Sequence, residues 1–240
     1  MGRHGTIAGR KSAQDNKRAA IFTKYSRAII IAAKAGGDPD YNASLKNAID
    51  KAKGINMPND KIDRAIKKGT GELEGETYET GSFEGYGPSG VAVIVDVLTD
   101  NKNRTTSAVK NAFDKSGGNM GVPGCVSYMF ERKGVILIEK ADGIEEDAIM
   151  EVGLEAGIED LIDADEFFEV RTAPDDFLVA AEALRAAGYE LAEADIEYIP
   201  NMESAPKSDA DERALIKLID TLEDNDDVQK VYTNCSVDLS

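Results

Sequence analysis

The residues of this chain best suited to chemistry are cations. Arg10, Lys11, Lys17, Arg18, Lys24, Arg27 and Lys34 recur along its opening stretch, with Arg3 and His4 ahead of them and Lys61, Arg64, Lys67 and Lys68 behind. Guanidinium and ammonium groups neutralise phosphates and release counterions, which gives affinity for nucleic acid without sequence readout. Asn101-Lys102-Asn103-Arg104 sits at an expected strand end just before an expected helix. It adds amide and guanidinium donors where backbone N–H groups also point outward. The plainer alternative is a solvated basic face, and Arg104 could equally hold a local carboxylate.

Carboxylates offer the competing chemistry. Asp163, Asp165, Glu166 and Glu169 cluster around a turn, and Glu193, Asp195 and Glu197 share one strand face. Hard cations such as Mg²⁺ take oxygen ligands of this kind. Acids abound throughout the later chain, however, and a solvated face accounts for them as well. Other catalytic signatures are missing: no phosphate-cradling glycine loop ending in Lys-Ser/Thr, no His-Glu-x-x-His and no Cys-x-x-Cys. Gly87-Pro88-Ser89-Gly90 lacks the spacing of a nucleophile elbow. The only histidine, His4, has no evident partners for zinc, and no base can be paired with Cys125 or Cys235. A binding protein is expected, with no catalytic residue, metal, cofactor or small-molecule substrate.

The charge is unevenly distributed. Met1 to Thr70 holds fifteen Lys/Arg against six Asp/Glu, whereas Gly71 to Ser240 holds thirteen against thirty-nine. Such asymmetry marks an interaction surface rather than a fold. The 42% apolar content supports real cores, so the acidity is no sign of disorder. No apolar run approaches the ~20 residues of a membrane span, and the N-terminus lacks a secretory apolar region. Two cysteines in a large chain suit a reducing cytoplasm, the expected location.

Periodicity places these residues on elements. Ser12 to Lys34 predicts a helix with Ile21, Phe22, Tyr25, Ala28, Ile29, Ala32 and Ala33 inward, preceded by a polar arm, Met1 to Lys11. Asp38-Pro39 is expected to start a second helix ending at Gly54, and Pro58 a third ending at Gly69. Strands are expected near Gly81–Tyr86, over Val91–Leu98 and over Val126–Glu131, with a helix at Thr105–Ser116 after a polar turn. From Gly134 to Ile199 the pattern is β-α-β-β-α-β, the ferredoxin-like order. A last helix (Ala210–Leu222) and strand (Val228–Thr233) cannot form a domain alone, and fit as the missing half of the earlier β-β-α-β piece. The expected fold class is α+β in three domains: a basic helical bundle, 1–78; a discontinuous α+β sandwich, 79–132 with 204–240; and an inserted ferredoxin-like α+β sandwich, 133–203.

At these residues the chain resembles the YebC/PmpR family. The opening from His4 through Arg10-Lys11 and Lys17-Arg18 to Ile21-Phe22-Thr23-Lys24 is similar, as are Asn56-Met57-Pro58 and Arg64-Ala65-Ile66-Lys67-Lys68-Gly69. So are Glu84-Gly85-Tyr86-Gly87-Pro88, Thr99 to Thr105, Gly117-Gly118-Asn119 and Ser127-Tyr128-Met129-Phe130. The resemblance implies a three-domain α+β protein with a helical N-terminal domain and a cytoplasmic or mitochondrial home. It implies a transcriptional regulator that binds DNA, or a ribosome-associated translational activator that relieves stalling. The partners expected are therefore DNA or ribosomal RNA, and a protein for the acidic surface. The chain departs from the family at the arm, where a tryptophan and a second histidine are usual and Ile7 and Gly9 stand instead. If the family's arm inserts into nucleic acid by aromatic stacking, this chain has lost that contact.

Overall fold

Three amphipathic helices open the structure because their apolar residues recur at helical spacing: α1 (Ile7–Ala33), α2 (Ala43–Gly54) and α3 (Asn59–Gly69). The computed structural model describes the backbone of residues 7–141, 143–164 and 166–237, and the side chains of that set from Arg18 onward. Phe22, Ile29, Ile30 and Ala33 of α1 close over Leu45, Ile49 and Ala52 of α2 and over Met57, Ile62 and Ala65. Ile30 takes the place expected for Ile21, which is 45% exposed. The buried stripe is therefore rotated from its expected position.

Helix boundaries differ from expectation for local reasons. α1 begins at Ile7 rather than Ser12, because extending a helix already nucleated by packing costs little per residue. Asp38-Pro39 forms a turn instead of starting α2: the Asp38 carboxylate accepts from the Asp40 N–H at 3.0 Å. Asn42 is the true cap. Its Oδ1 accepts from the Leu45 N–H at 3.0 Å, and its Nδ2 donates to the carbonyls of Ala32 and Gly36, each at 2.8 Å. One amide thus fixes both ends of the α1–α2 connection.

The remaining elements build two four-stranded sheets. The first has the order β3-β1-β2-β8 and uses β1 (Glu79–Tyr86), β2 (Ala92–Thr99), β3 (Asn119–Met120) and β8 (Val228–Thr233). Helix α4 (Lys102–Lys115) starts three residues earlier than expected because the Asn101 side chain accepts from the Arg104 N–H at 3.1 Å. The second sheet has the order β5-β6-β4-β7, with β4 (Phe130–Glu139), β5 (Ile158–Asp163), β6 (Phe167–Thr172) and β7 (Leu191–Pro200) all antiparallel. With α5 (Glu146–Leu154) and α6 (Phe177–Ala186) this is the expected β-α-β-β-α-β order. Ile136 lies opposite Val170 on one side and Ala194 on the other, and all three join the core beneath those helices.

The expected strand at Val126–Glu131 is corrected: residues 127–129 form a 3₁₀ turn and β4 runs unbroken through Gly134. A Cβ at Gly134 would collide with Thr172 Oγ1 and approach Phe177 Cβ to 2.8 Å. That glycine permits close packing and does not break the strand. Helix α7 (Asp209–Glu223) precedes β8.

The fold is thus α+β, and its packing divides it into two units. The first comprises the residues up to Phe83, Val95–Lys115 and Ile216–Val231, and the second Glu84–Ile94, Ser116–Leu215 and the residues from Tyr232. In the second, the Glu84 carboxylate accepts from the N–H groups of Gly124, Val126 and Ser127 at 2.8–2.9 Å. Burial would raise that carboxyl; the three backbone bonds hold it below the ordinary range.

Gly69 sets the spacing between α1 and α3, since a Cβ there would stand 2.5 Å from the Ile30 carbonyl oxygen and 2.6 Å from Ala33 Cβ. Gly69→Ala is expected to destabilise the protein by about 2 kcal/mol through overpacking. Urea unfolding measures this, and an unshifted midpoint would contradict the close approach of the two helices.

Candidate nucleic-acid interface

The first unit contains a buried polar cluster around Asp227, in the turn between α7 and β8. Its side chain is 5% exposed and accepts from Arg27 at 2.9 Å, from Arg104 at 2.8 Å and from the Thr105 hydroxyl at 2.7 Å. Arg27 comes from α1; Arg104 and Thr105 come from the first turns of α4. Arg27 also donates to the Asp226 carbonyl at 2.6 Å and the Leu98 carbonyl at 3.3 Å, and lies 5.1 Å from the Tyr78 ring centroid. Arg104 also reaches the Asp100 carboxylate at 2.7 Å. Burial alone would raise the Asp227 carboxyl. Hydrogen bonds from Arg104 and Thr105, and the charges of both arginines, hold it below the usual carboxylate range.

The expected cations fall into three groups. Lys24, Arg27, Lys34 and Arg104 are engaged with the chain's own acceptors: Lys24 donates to the Glu223 carbonyl at 2.6 Å, and Lys34 to the Tyr78 carbonyl at 3.1 Å. Burial pushes the Lys24 ammonium below its ordinary value, against the charges of Glu223, Asp226 and Asp224. Arg18, Lys61, Arg64 and Lys67 are exposed. Among the described residues none of these four has a carboxylate partner. Lys68 is partly covered, 3.7 Å from Glu76. Arg10, Lys11 and Lys17 belong to α1 but their side chains lie outside the described set, and Arg3 and His4 lie outside the described residues altogether.

Two of the exposed cations share one aromatic ring. The Arg18 guanidinium lies 5.3 Å, and the Lys61 ammonium 4.8 Å, from the Phe22 ring centroid, so α1 and α3 bring their basic flanks together there. At Asn101, Lys102 and Asn103 the chain borders a polar hollow of about 400 Å³ shared with Thr77, Glu79, Thr99 and Asp100. Lys102 and Asn103 are exposed, while Asn101 and Arg104 are occupied with capping and pairing.

The carboxylates proposed for a metal are dispersed into local pairs. Asp163 pairs with Lys140, and Glu169 accepts from Arg171 at 2.7 Å. Glu193, Asp195 and Glu197 each interact within the protein, and Asp165 lies outside the described residues. Among the described residues, no three His, Cys, Asp or Glu side chains group closely enough to hold a metal ion. No described helix is long and apolar enough to cross a membrane.

Sequence reasoning missed Asp227 altogether. It ends the run Glu223-Asp224-Asn225-Asp226-Asp227, where nothing distinguishes the buried carboxylate from solvated ones. Phe22 was recognised as a core residue but not as a platform for two cations.

Comparison with known proteins places this chain among close relatives. A model of the TACO1/YebC protein N-terminal domain matches residues 3–72, and one of the TACO1/YebC second and third domain matches 78–235. A "probable transcriptional regulatory protein" of Clostridioides difficile (strain 630) is 54% identical, with 99% of this chain and all of that one covered. One from Clostridium novyi (strain NT) is 52% identical over 95% of this chain and 93% of its own. The crystal structure of a conserved hypothetical protein from Aquifex aeolicus superposes with a TM-score of 0.80 at 43% identity, covering 92% of this chain and 91% of that one.

Removing one partner from a buried ion pair leaves an uncompensated charge. Asp227→Ala is therefore expected to cost about 3 kcal/mol, read by chemical denaturation. Because the folded-state carboxyl is depressed, its contribution is present above the unfolded value of about 4 and lost as the pH falls through the lower folded value. The wild-type advantage over Asp227→Ala should shrink below that pH; a constant gap would refute the charged pairing.

Proposed function

The chain belongs to the YebC/PmpR (TACO1/YebC) family, and on that premise we propose that it is a non-enzymatic regulator of gene expression that binds DNA. The observation that carries this reading is the retention, on the helical block of an otherwise acidic chain, of exposed cations that have no carboxylate partner among the described residues. Arg18, Lys61, Arg64 and Lys67 offer donors to a phosphate backbone, whose neutralisation releases counterions and drives binding. The names of the close relatives, probable transcriptional regulatory proteins, support the same reading.

We further propose that the chain works in the cytoplasm as three domains, 1–78, 79–132 with 204–240, and 133–203. The first carries the nucleic acid and the other two turn an acidic surface to a protein partner. An acidic surface repels phosphate, so it also orients the molecule on its target. No cofactor enters this mechanism: the cations supply affinity, and backbone positioning precedes any base readout.

Crosslinking in cell extract at low and moderate salt, followed by sedimentation, tests the proposal. Salt-sensitive crosslinks to DNA at defined promoters are expected, away from ribosomal fractions. Co-migration with ribosomes and crosslinks to ribosomal RNA would move the same cations to translation. Crosslinks to neither nucleic acid would overturn the reading.

A further inference from the structure

The two flanks of α1 have different fates in the structure, and the difference locates the phosphate-contacting surface. One flank carries Lys24, Arg27 and Lys34, and each of these ends on an acceptor within the protein. Arg27 is neutralised there by the Asp227 carboxylate, and Lys24 and Lys34 are drawn onto backbone carbonyls, so all three are held against the protein and away from α3. The other flank carries Arg18, which packs on the Phe22 ring, as does Lys61 of α3. At about 100° per residue, Lys61, Arg64 and Lys68 fall within about 60° of one another on α3, with Asp60 about 40° beyond Arg64 and Lys67 and Asp63 further round. Lys61, the residue of α3 that reaches Phe22 of α1, thus lies at the end of this basic stretch farthest from Asp60 and Asp63.

The kind of contact matters as much as its location. A carboxylate partner neutralises a cation and occupies its donors. An aromatic face attracts the cation through its quadrupole and leaves the charge and most N–H groups open. Phe22 is 8% exposed and its ring is fixed in the core, so it restrains Arg18 and Lys61 without neutralising them. Ordering long side chains in advance lowers the entropy lost on binding.

Resting on the nucleic-acid reading above, we infer that phosphates are bound at the α1–α3 seam by Arg18, Lys61 and Arg64, and that the Lys24–Arg27–Lys34 flank of α1 fastens the helix to its own protein. The seam takes the sugar-phosphate backbone of a nucleic acid strand rather than a base edge. Its contribution to affinity is therefore independent of sequence and steep in salt.

The test is fluorescence anisotropy of the full-length protein with a labelled mixed-sequence DNA duplex and, separately, a labelled RNA hairpin, between about 50 and 200 mM salt. The double variant Arg18→Gln/Lys61→Gln should flatten the slope of log K against log salt by about 2, and Arg64→Gln, which leaves the Phe22 contacts intact, by about 1. Lys24→Gln/Lys34→Gln should leave the slope unchanged. If the wild type binds and the seam variants keep its slope, or if Lys24→Gln/Lys34→Gln flattens it equally, the assignment to the seam falls while the functional reading stands. If the wild type binds neither probe, the reading falls and takes the seam with it. Should Arg18→Gln/Lys61→Gln lose its thermal transition, Arg64→Gln and the charge-preserving Arg18→Lys/Lys61→Arg, expected to retain the wild-type slope, decide the matter.

Discussion

The carboxylate of Asp227 connects parts of the first unit that are remote in sequence. Arg27 from the opening helix and Arg104 from the start of α4 converge on it, with the Thr105 hydroxyl filling a further acceptor site. A charge with so little solvent is tolerable only if its partners are all present, since its desolvation is repaid by geometry. This constraint acts together with apolar packing against α2 and α3 to fix which way α1 faces. Once Arg27 is turned inward, Lys24 and Lys34 follow it toward the protein and Arg18 is left on the flank beside α3.

That arrangement would let an acidic chain take the anionic ligand proposed for it. Most surface cations in such a chain would be neutralised by the carboxylates that outnumber them. Here an aromatic ring holds two of them, Arg18 and Lys61, with no carboxylate partner among the described residues. On the proposed reading, cations gathered at the seam of a strongly negative chain would favour approach of a polyanion in one orientation.

Much of this was legible before any coordinates. Apolar periodicity located all three helices of the basic block, and the β-α-β-β-α-β order emerged from alternating patterns because each element there is short and cleanly bounded. Local chemistry shifted the edges: Asn42 outcompeted Asp38 as a cap, and Asn101 advanced the start of α4. What periodicity could not reveal was the rotation of α1 about its axis. Ile21 and Ile30 are equally apolar, and only packing against α2 and α3 buries the second. The sorting of the cations was hidden for a stronger reason. The partner of Arg27 lies two hundred residues away among indistinguishable acids, so no local pattern announces that this arginine is structural while Arg18 is not.

The first sheet also imposes an order of events on biosynthesis. Strand β2 is almost wholly apolar and buried, yet its neighbour β8 lies near the far end of the chain, after the entire second sheet. Until the ribosome has released that segment, β2 is an open edge of unpaired amides and carbonyls, the kind of template on which nascent chains aggregate. The Asp227 carboxylate arrives just ahead of β8, so Arg27 must wait for the same segment. Truncation or stalled synthesis anywhere before Asp227 would therefore leave both an exposed hydrophobic strand and a helix without its electrostatic anchor, which makes the segment Asp227–Thr233 the checkpoint for a sound molecule.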